Sequence, residues 1–292
     1  MPKDSCFLSV DPGFYGRIYP DLQGMGADEL LRHYQQHGEA EGRVAAVYAT
    51  RQGLFTALTP TDSILEIGPF TNPIVTGNRV KYFDVLDKAA LIERAVLHNR
   101  SIENAREIDY VSPAGDLSVI ADEQFDIVLS SHCIEHQTDL VKHLNQVADI
   151  LTSGGCYLLI IPDKRYCFDH FLAESTLADV VQAHFEKRTV HRLASVIEHN
   201  LLTTHNDSVR HWAGDHSGPD LLDEPGALER VMQKFRDADG AYIDVHAWQF
   251  TPRSFLKLLG QLSTARLVSL EPLHVFGTPA NSLEFCAILR KP

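Results

Sequence analysis

A short apolar run that stops at a glycine, followed at a set distance by an acid, constrains this chain most. Ser63-Ile-Leu-Glu-Ile-Gly-Pro-Phe-Thr-Asn-Pro73 reads as a buried strand over Ile64 to Ile67, a tight turn at Gly68, and a helix opening with Pro73 in its first turn. Eighteen residues after Glu66, Asp84 closes a second apolar run, Val80-Lys-Tyr-Phe-Asp84. An acid about 20 residues past a strand–turn–helix unit is how nucleotide-binding α/β folds hold a ribose. The turn lacks the repeated glycines that bring a backbone against a pyrophosphate. A nucleoside ligand without phosphates fits better, and S-adenosylmethionine is the obvious one.

With 292 residues the chain has ample material for a core, and its 44% hydrophobic and 22% charged residues are those of an ordinary globular protein. A net charge of −13 argues against nucleic acid as partner, because neutralising phosphates needs clustered Lys and Arg. The five cysteines (Cys6, Cys133, Cys156, Cys167, Cys286) are an odd number without a Cys-x-x-Cys, which reads as free thiols in a reducing compartment. The first residues are too short and polar for a signal sequence, and no apolar run approaches the roughly 20 residues of a membrane span. The expectation is a cytoplasmic protein with no membrane span.

Residues 1–50 read as a small helical module. Asp11-Pro-Gly-Phe-Tyr15 starts one helix, Tyr19-Pro-Asp21 breaks it, and Ala27 to His37 forms a second, closed by Gly38. Residues 51–292 form the main domain. Strands are expected near 63–67, 80–84, 107–111, 125–130, 156–161, 266–270 and 283–289, with helices over 87–98, 138–151 and 252–262. Thr152-Ser-Gly-Gly155 reads as the stop of the second of these helices. Strand–helix alternation gives a parallel sheet covered on both faces. The last two strands are joined by about a dozen residues, too few for a helical crossover, so they should pair antiparallel. Residues 163–250 interrupt the rhythm as an insertion holding eight of the fifteen histidines and both tryptophans. Insertions at this edge of such a sheet usually form a lid or substrate pocket.

Glu66-x-Gly68-x-x-x-x-Pro73, Asp84, Phe125-Asp-Ile-Val-Leu-Ser-Ser-His-Cys-Ile-Glu-His136 and Leu151-x-x-Gly-Gly-x-x-x-x-x-Ile-Pro162 together resemble the class I S-adenosylmethionine-dependent methyltransferases. The resemblance spans roughly residues 60–163 and 250–292. It implies a Rossmann-like α/β sheet, mostly parallel, with an antiparallel last strand. The first motif departs from the common form, since only Gly68 of several glycines remains and Pro69 follows it. The Glu-x-Gly-Pro-Phe form looks like a subgroup acting on sugars or polysaccharides. The segments Tyr19-Pro-Asp21, His33-Tyr34 and Gly38 to Arg43 resemble a module of bacterial glycosyltransferases and polysaccharide-related proteins. Association with glycosyltransferases is the partner this implies. A helical cap on the main domain is the plainer reading of the same residues.

The resemblance implies a cofactor site of Glu66 facing the ammonium group, Gly68 and Pro69 beside the methionine part, Asp84 on the ribose hydroxyls, and Gly115, Asp116 and Leu117 at the adenine, with Ser131 and His132 closing it. Asp84 also reads as a strand-end turn residue and Asp116 as a loop carboxylate. His132, His136 and Asp163 are the candidate catalytic groups, because a hydroxyl attacking a methyl group must lose its proton to a base. His132 and His136 are four apart and share a face if helical. The alternatives are that His132 lines the ligand and His136 packs or caps the helix. His132-Cys-Ile-Glu135-His136 also matches a zinc peptidase signature, out of context at a strand end. Arg165, Tyr166, Asp169, His170, His246 and Trp248 carry the mixture of polar and aromatic groups that grips a polyhydroxylated ring, so they are the candidate acceptor site. The many histidines and acids also leave room for a divalent cation. The expected reaction is O-methylation of a sugar hydroxyl on a glycan or nucleotide-sugar precursor. The runners-up are methylation of a small phenol, amine or carboxylate, and a non-catalytic binding protein of the same fold.

Overall fold

The two apolar runs that carry the motif lie side by side as parallel strands, β1 (Ile64–Ile67) and β2 (Val80–Asp84), with Ile64 opposite Val80. The computed structural model of the protein describes residues 8–218 and 221–292, so Cys6 lies outside the described residues. The other strands are β3 (Tyr110–Val111), β4 (Phe125–Ser131), β5 (Leu151–Pro162), β6 (Glu271–Val275) and β7 (Glu284–Arg290). They form one seven-stranded sheet in the order β3-β2-β1-β4-β5-β7-β6. The first five run parallel, and β7 runs antiparallel to both β5 and β6. This is the Rossmann-like sheet with an antiparallel last strand that the sequence implied.

Helices α1 (Pro12–Ile18), α2 (Ala27–His33) and α3 (Arg51–Phe55) precede the sheet. Within it come α4 (Lys88–Leu97) and α5 (Leu140–Ile150), then α6 (Leu177–Phe185), α7 (Leu193–Leu201), α8 (Ser208–Trp212) and α9 (Ala227–Asp237) of the insertion, then α10 (Pro252–Thr264). Side-chain caps set several starts. Asp11, Asp139 and Thr251 accept from the backbone N–H three residues on, and Pro12 and Pro252 follow their caps in the first turn.

The pleat sorts the core into two faces. Val128, Tyr157, Leu159 and Ile161 pack with Leu144, Val147 and Leu258 of α5 and α10, and with Tyr15, Leu30 and Tyr34 of the N-terminal segment. Their neighbours Leu129, Leu158 and Ile160 pack on the opposite side with Ala49, Leu54 and Phe276. The N-terminal helices thus bury their apolar residues in the main core. Backbone bonds add to this, from Ser9 N–H to Val275 O and from Ala280 N–H to Gly42 O, both at 2.8 Å. The insertion has its own small core of Val196, Leu201, Ala227, Val231 and Val245.

Three local expectations fail. No helix opens at Pro73. Residues 68–79 form an irregular crossover, because Pro69, Pro73 and Gly77 leave no stretch long enough for a helix and Phe70 adopts φ 51°. The strand expected at 266–270 begins instead at Glu271, since α10 runs to Thr264 and Arg266 turns the chain at φ 58°. Thr152 to Gly155 belongs to β5, in a bulge where the pairing with β4 shifts register and Gly154 takes φ 78°.

Candidate active site

The carboxyl ends of β1 to β4 open into a cavity of about 950 Å³. Gly68 and Phe70 after β1, Asp84 and Val85 at the end of β2, Gly115 beyond β3, and His132 and Cys133 after β4 all line it. Tyr242 and Asp244, returning from the insertion, form part of its wall.

Gly68 is required on two counts. Its φ is +70°, and a Cβ there would lie 2.3 Å from Cys133 Sγ. The close approach that this glycine permits is therefore to the β4 exit loop, where the ligand's methionine part was expected. Asp84 is almost buried, and its two carboxylate oxygens accept from Val85 N–H at 2.7 Å and Phe70 N–H at 3.2 Å. Burial pushes its carboxyl up against these bonds. A desolvated acid on a cavity wall with lone pairs to spare fits the vicinal hydroxyls of a ribose. Gly115 also lines the cavity, on the loop beyond β3.

The other predicted cofactor contacts move. Glu66 is buried and turns away from the cavity, accepting from Ile74 N–H at 2.8 Å and Val75 N–H at 3.1 Å. It braces the helix-free crossover, and burial raises its carboxyl to about 7. Pro69 is not part of the cavity wall, although its neighbours are. Asp116 caps a short turn and accepts from Lys142 Nζ at 2.7 Å, which holds its carboxyl well below the usual range. Leu117 is a core residue. Ser131 Oγ accepts from Arg51 Nη2 at 3.0 Å, behind the wall.

His132 follows β4 in the left-handed region, φ 53°, which suits a turn residue but is uncommon outside glycine. Its Nε2 lies 2.8 Å from Glu284 Oε2. Glu284 in turn accepts from Arg51 Nε at 2.8 Å and Nη2 at 2.6 Å. Burial alone would raise the Glu284 carboxyl, but the bonds from His132 and Arg51 outweigh it and hold it at about 2. An ionised carboxylate only accepts, so Nε2 carries a proton, while Nδ1 lies 3.7 Å from Glu135 Oε1.

His136 lines the cavity too, in a 3₁₀ turn (Ile134–His136) rather than on a helix shared with His132. Its Nδ1 is 3.1 Å from Asp244 Oδ1, close enough for an ion pair though not aligned as a hydrogen bond. Burial opposes charge on this imidazole, but Asp244 and Glu135 prevail and raise its pKa. Asp244 also pairs with Arg94 at 2.6 Å. The zinc peptidase reading fails, because its helix is absent and His132 Nε2 is committed to Glu284.

Asp163 and the six expected acceptor residues lie outside the cavity wall. Asp163 is fully buried and accepts from Arg165 and from Thr278 Oγ1, so it is a structural anchor rather than a base. Tyr166 is stacked on Trp212 with ring centres 4.0 Å apart. Asp169 is buried against His246 at 2.6 Å. His170 stacks on His216 at 3.7 Å. Trp248 is buried, with Nε1–H donating to Gln137 O. These aromatic and polar groups hold the insertion together. Sequence reasoning missed Arg51, Glu284 and Tyr242, whereas the segment Asp244–Phe250, expected to close the pocket, does place Asp244 on the wall.

Residues 70–159 match the family model described as a methyltransferase domain. No curated relative matches the sequence. Among solved structures, the chain is similar to an S-adenosylmethionine-dependent methyltransferase from Mesorhizobium loti, at 12% identity and TM-score 0.39 over 84% of this chain and 100% of that one. It is also similar to magnesium protoporphyrin IX methyltransferase from Synechocystis PCC 6803 with bound S-adenosylhomocysteine, at 9% identity and TM-score 0.36 over 82% and 78% of the two chains. A third is the CurJ carbon methyltransferase, at 15% identity and TM-score 0.37 over 82% of this chain. The chain spans about half of that structure's length, 51%. Likenesses this distant carry no argument about activity. Among the described residues, no helix is long and apolar enough to cross a membrane.

Proposed function

We propose that the protein methylates an acceptor hydroxyl, with S-adenosylmethionine in the cavity and His132 as general base. The observation that carries this is the relay from Arg51 through Glu284 to His132 at the cavity wall. Bound S-adenosylmethionine supplies a methyl group made electrophilic by its cationic sulfonium. Asp84 accepts the ribose hydroxyls and fixes the ligand. Glu284 holds the His132 ring in one tautomer, as a carboxylate does for a histidine base in hydrolytic triads. His132 Nδ1 takes the hydroxyl proton as the oxygen attacks. Positioning does much of the remaining work.

The acceptor is a sugar hydroxyl of a glycan or nucleotide-sugar precursor. Two features support this. The cavity wall around His132 is polar, with His136, Gln137, Tyr242 and Asp244 offering both donors and acceptors. The N-terminal segment resembles modules of glycosyltransferases and polysaccharide-related proteins, which makes those enzymes the natural neighbours. Turnover of methyl-labelled S-adenosylmethionine with panels of sugars, phenols and amines tests the reading. His132→Ala should cut turnover by about 10²–10⁴-fold while S-adenosylhomocysteine binds as before. Full activity in that variant, or methylation confined to amines, would sink it.

A further inference from the structure

Next to the cavity sits a buried carboxylate without a partner. Glu135 is 0% exposed, and neither of its carboxylate oxygens makes a hydrogen bond among the described residues. Leaving an ionised acid in this state costs several kcal/mol, roughly, so such groups are normally paired or coordinate a metal. Three imidazole nitrogens approach it: His132 Nδ1 at 3.7 Å, from the ring already bonded to Glu284, and two from rings without such a commitment at Nε2. His136 Nε2 lies 3.8 Å and His246 Nε2 3.9 Å from Glu135 Oε1, and the three ligand atoms are mutually within 4.8 Å.

Simple ion pairing does not account for these distances. An imidazolium bonded to a carboxylate closes to about 2.7–2.9 Å. The neighbouring pair does close, with His246 Nδ1 at 2.6 Å from Asp169 Oδ2. Two atoms each 2.1 Å from a shared tetrahedral ion are about 3.4 Å apart, a few tenths of an ångström inside what is seen. The two Glu135–imidazole distances are thus close to those between ligands of one ion.

The outer contacts agree. His246 Nδ1 faces Asp169 and His136 Nδ1 faces Asp244. The Asp169 carboxylate hydrogen-bonded to His246 Nδ1 turns that ring's Nε2 inward, as around histidines that bind metal, and Asp244 lies 3.1 Å behind His136 Nδ1. The backbone fixes the same arrangement, since Ala247 N–H and Trp248 N–H both donate to Glu135 O.

We propose that Glu135, His136 and His246 bind a zinc ion, with Asp169 and Asp244 orienting the two imidazoles. Two nitrogens and one carboxylate suit zinc and exclude magnesium as a good fit. The site joins the β4 exit to the end of the insertion. It therefore fixes Tyr242 and Asp244, which form the insertion's share of the cavity wall. This inference does not depend on the identity of the acceptor. A second group, His170, His211 and His216, is a different case. Its rings are stacked, and His211 and His216 already approach to 2.9 Å through their Nδ1 atoms.

The test uses the full chain, stripped with a chelator and titrated with zinc by calorimetry, with elemental analysis and thermal melting alongside. One tightly held zinc per chain is expected, and the melting temperature should rise with zinc. Glu135→Gln is close to isosteric and should abolish tight binding, as should His246→Ala. Asp169→Asn keeps all three ligands and should weaken binding by about 10–100-fold, which preserves the test if a ligand variant does not fold. His216→Ala should bind zinc as the parent does. The proposal is overturned if the parent binds no zinc, if magnesium binds as tightly, if Glu135→Gln and Asp169→Asn both bind like the parent, or if only His216→Ala loses the metal.

Discussion

Replacing Glu284 by Gln tests the relay behind His132 most directly. The side chain keeps its shape and loses its charge. In the parent, Arg51 donates two hydrogen bonds to this carboxylate and His132 Nε2 a third. In the variant one of the two oxygens becomes NH₂, and Arg51, which has only donors, faces both positions; with the NH₂ in the place of Oε2 it also faces His132 Nε2. That nitrogen must then accept, which moves the imidazole proton to Nδ1, the position proposed to act as base. Turnover should fall by about 10²–10⁴-fold, comparable with loss of the histidine itself. The Kd for S-adenosylhomocysteine should change by less than about threefold, since Glu284 does not line the cavity. Stability offers a second readout. A carboxyl held at about 2 rather than 4.5 favours its charged form by about 3 kcal/mol. Because the folded-state value is the lower one, that stabilisation is complete above about pH 4.5 and is lost as pH falls toward about 2. Denaturant melts of parent and variant should therefore converge in acid and separate near neutrality. Methyl-transfer assays, calorimetry and melts at several pH values measure all three quantities. A variant with normal turnover, or one losing cofactor affinity in step with turnover, would refute the reasoning.

Asp84→Ala should weaken S-adenosylhomocysteine binding by about 2–3 kcal/mol, read by calorimetry, since two charge-assisted bonds to ribose are lost; unchanged affinity would remove Asp84 from the site. Gly68→Ala should destabilise the fold by about 1–2 kcal/mol from its positive φ alone, with more from the contact at Cys133 Sγ, and Cys133→Ala in the same chain should recover part of the loss in a thermal melt. Trp248→Ala should cost about 3–5 kcal/mol of stability as a core truncation, whereas Tyr242→Phe should leave the melt unchanged and raise the acceptor KM. The opposite pattern would return Trp248 to the acceptor site.

Much of the frame was legible because it rests on short-range rules. The apolar runs at 63–67, 80–84 and 125–130 read as buried strands, and the strand-end acid at Asp84 lies on the cavity wall. Pro73 misled because the rule for proline in a first helical turn presumes a helix behind it. Here Gly77 follows too soon, and Glu66 satisfies the N–H groups of Ile74 and Val75 that a helix would have left to caps. The insertion misled differently. Its aromatic and polar residues have the composition of a sugar site, but Tyr166 with Trp212, and Asp169 with His246, satisfy each other. Composition does not distinguish groups that face a ligand from groups that face one another.

The half of the proposed relay that sequence reasoning missed has a topological origin. Parallel strands bring their last residues to the ligand edge of the sheet, so a reader looks for site residues just after apolar runs. An antiparallel strand enters at that edge and brings its first residue there. β7 pairs with β5 so that Glu284 stands opposite Pro162, the last residue of β5. One strand further on, His132 leaves β4, and its N–H still bonds to Ile160 O of β5. Glu284 is thus carried to the histidine by the reversal of a single strand. The signal was present in Glu284-Phe-Cys-Ala-Ile-Leu289, where one acid heads an otherwise apolar strand that burial on both faces should have kept free of charge. Arg51 completes the relay from the start of α3, at the point where the N-terminal segment meets the sheet. A charge at that boundary makes functional sense only once the antiparallel strand has placed a carboxylate within its reach.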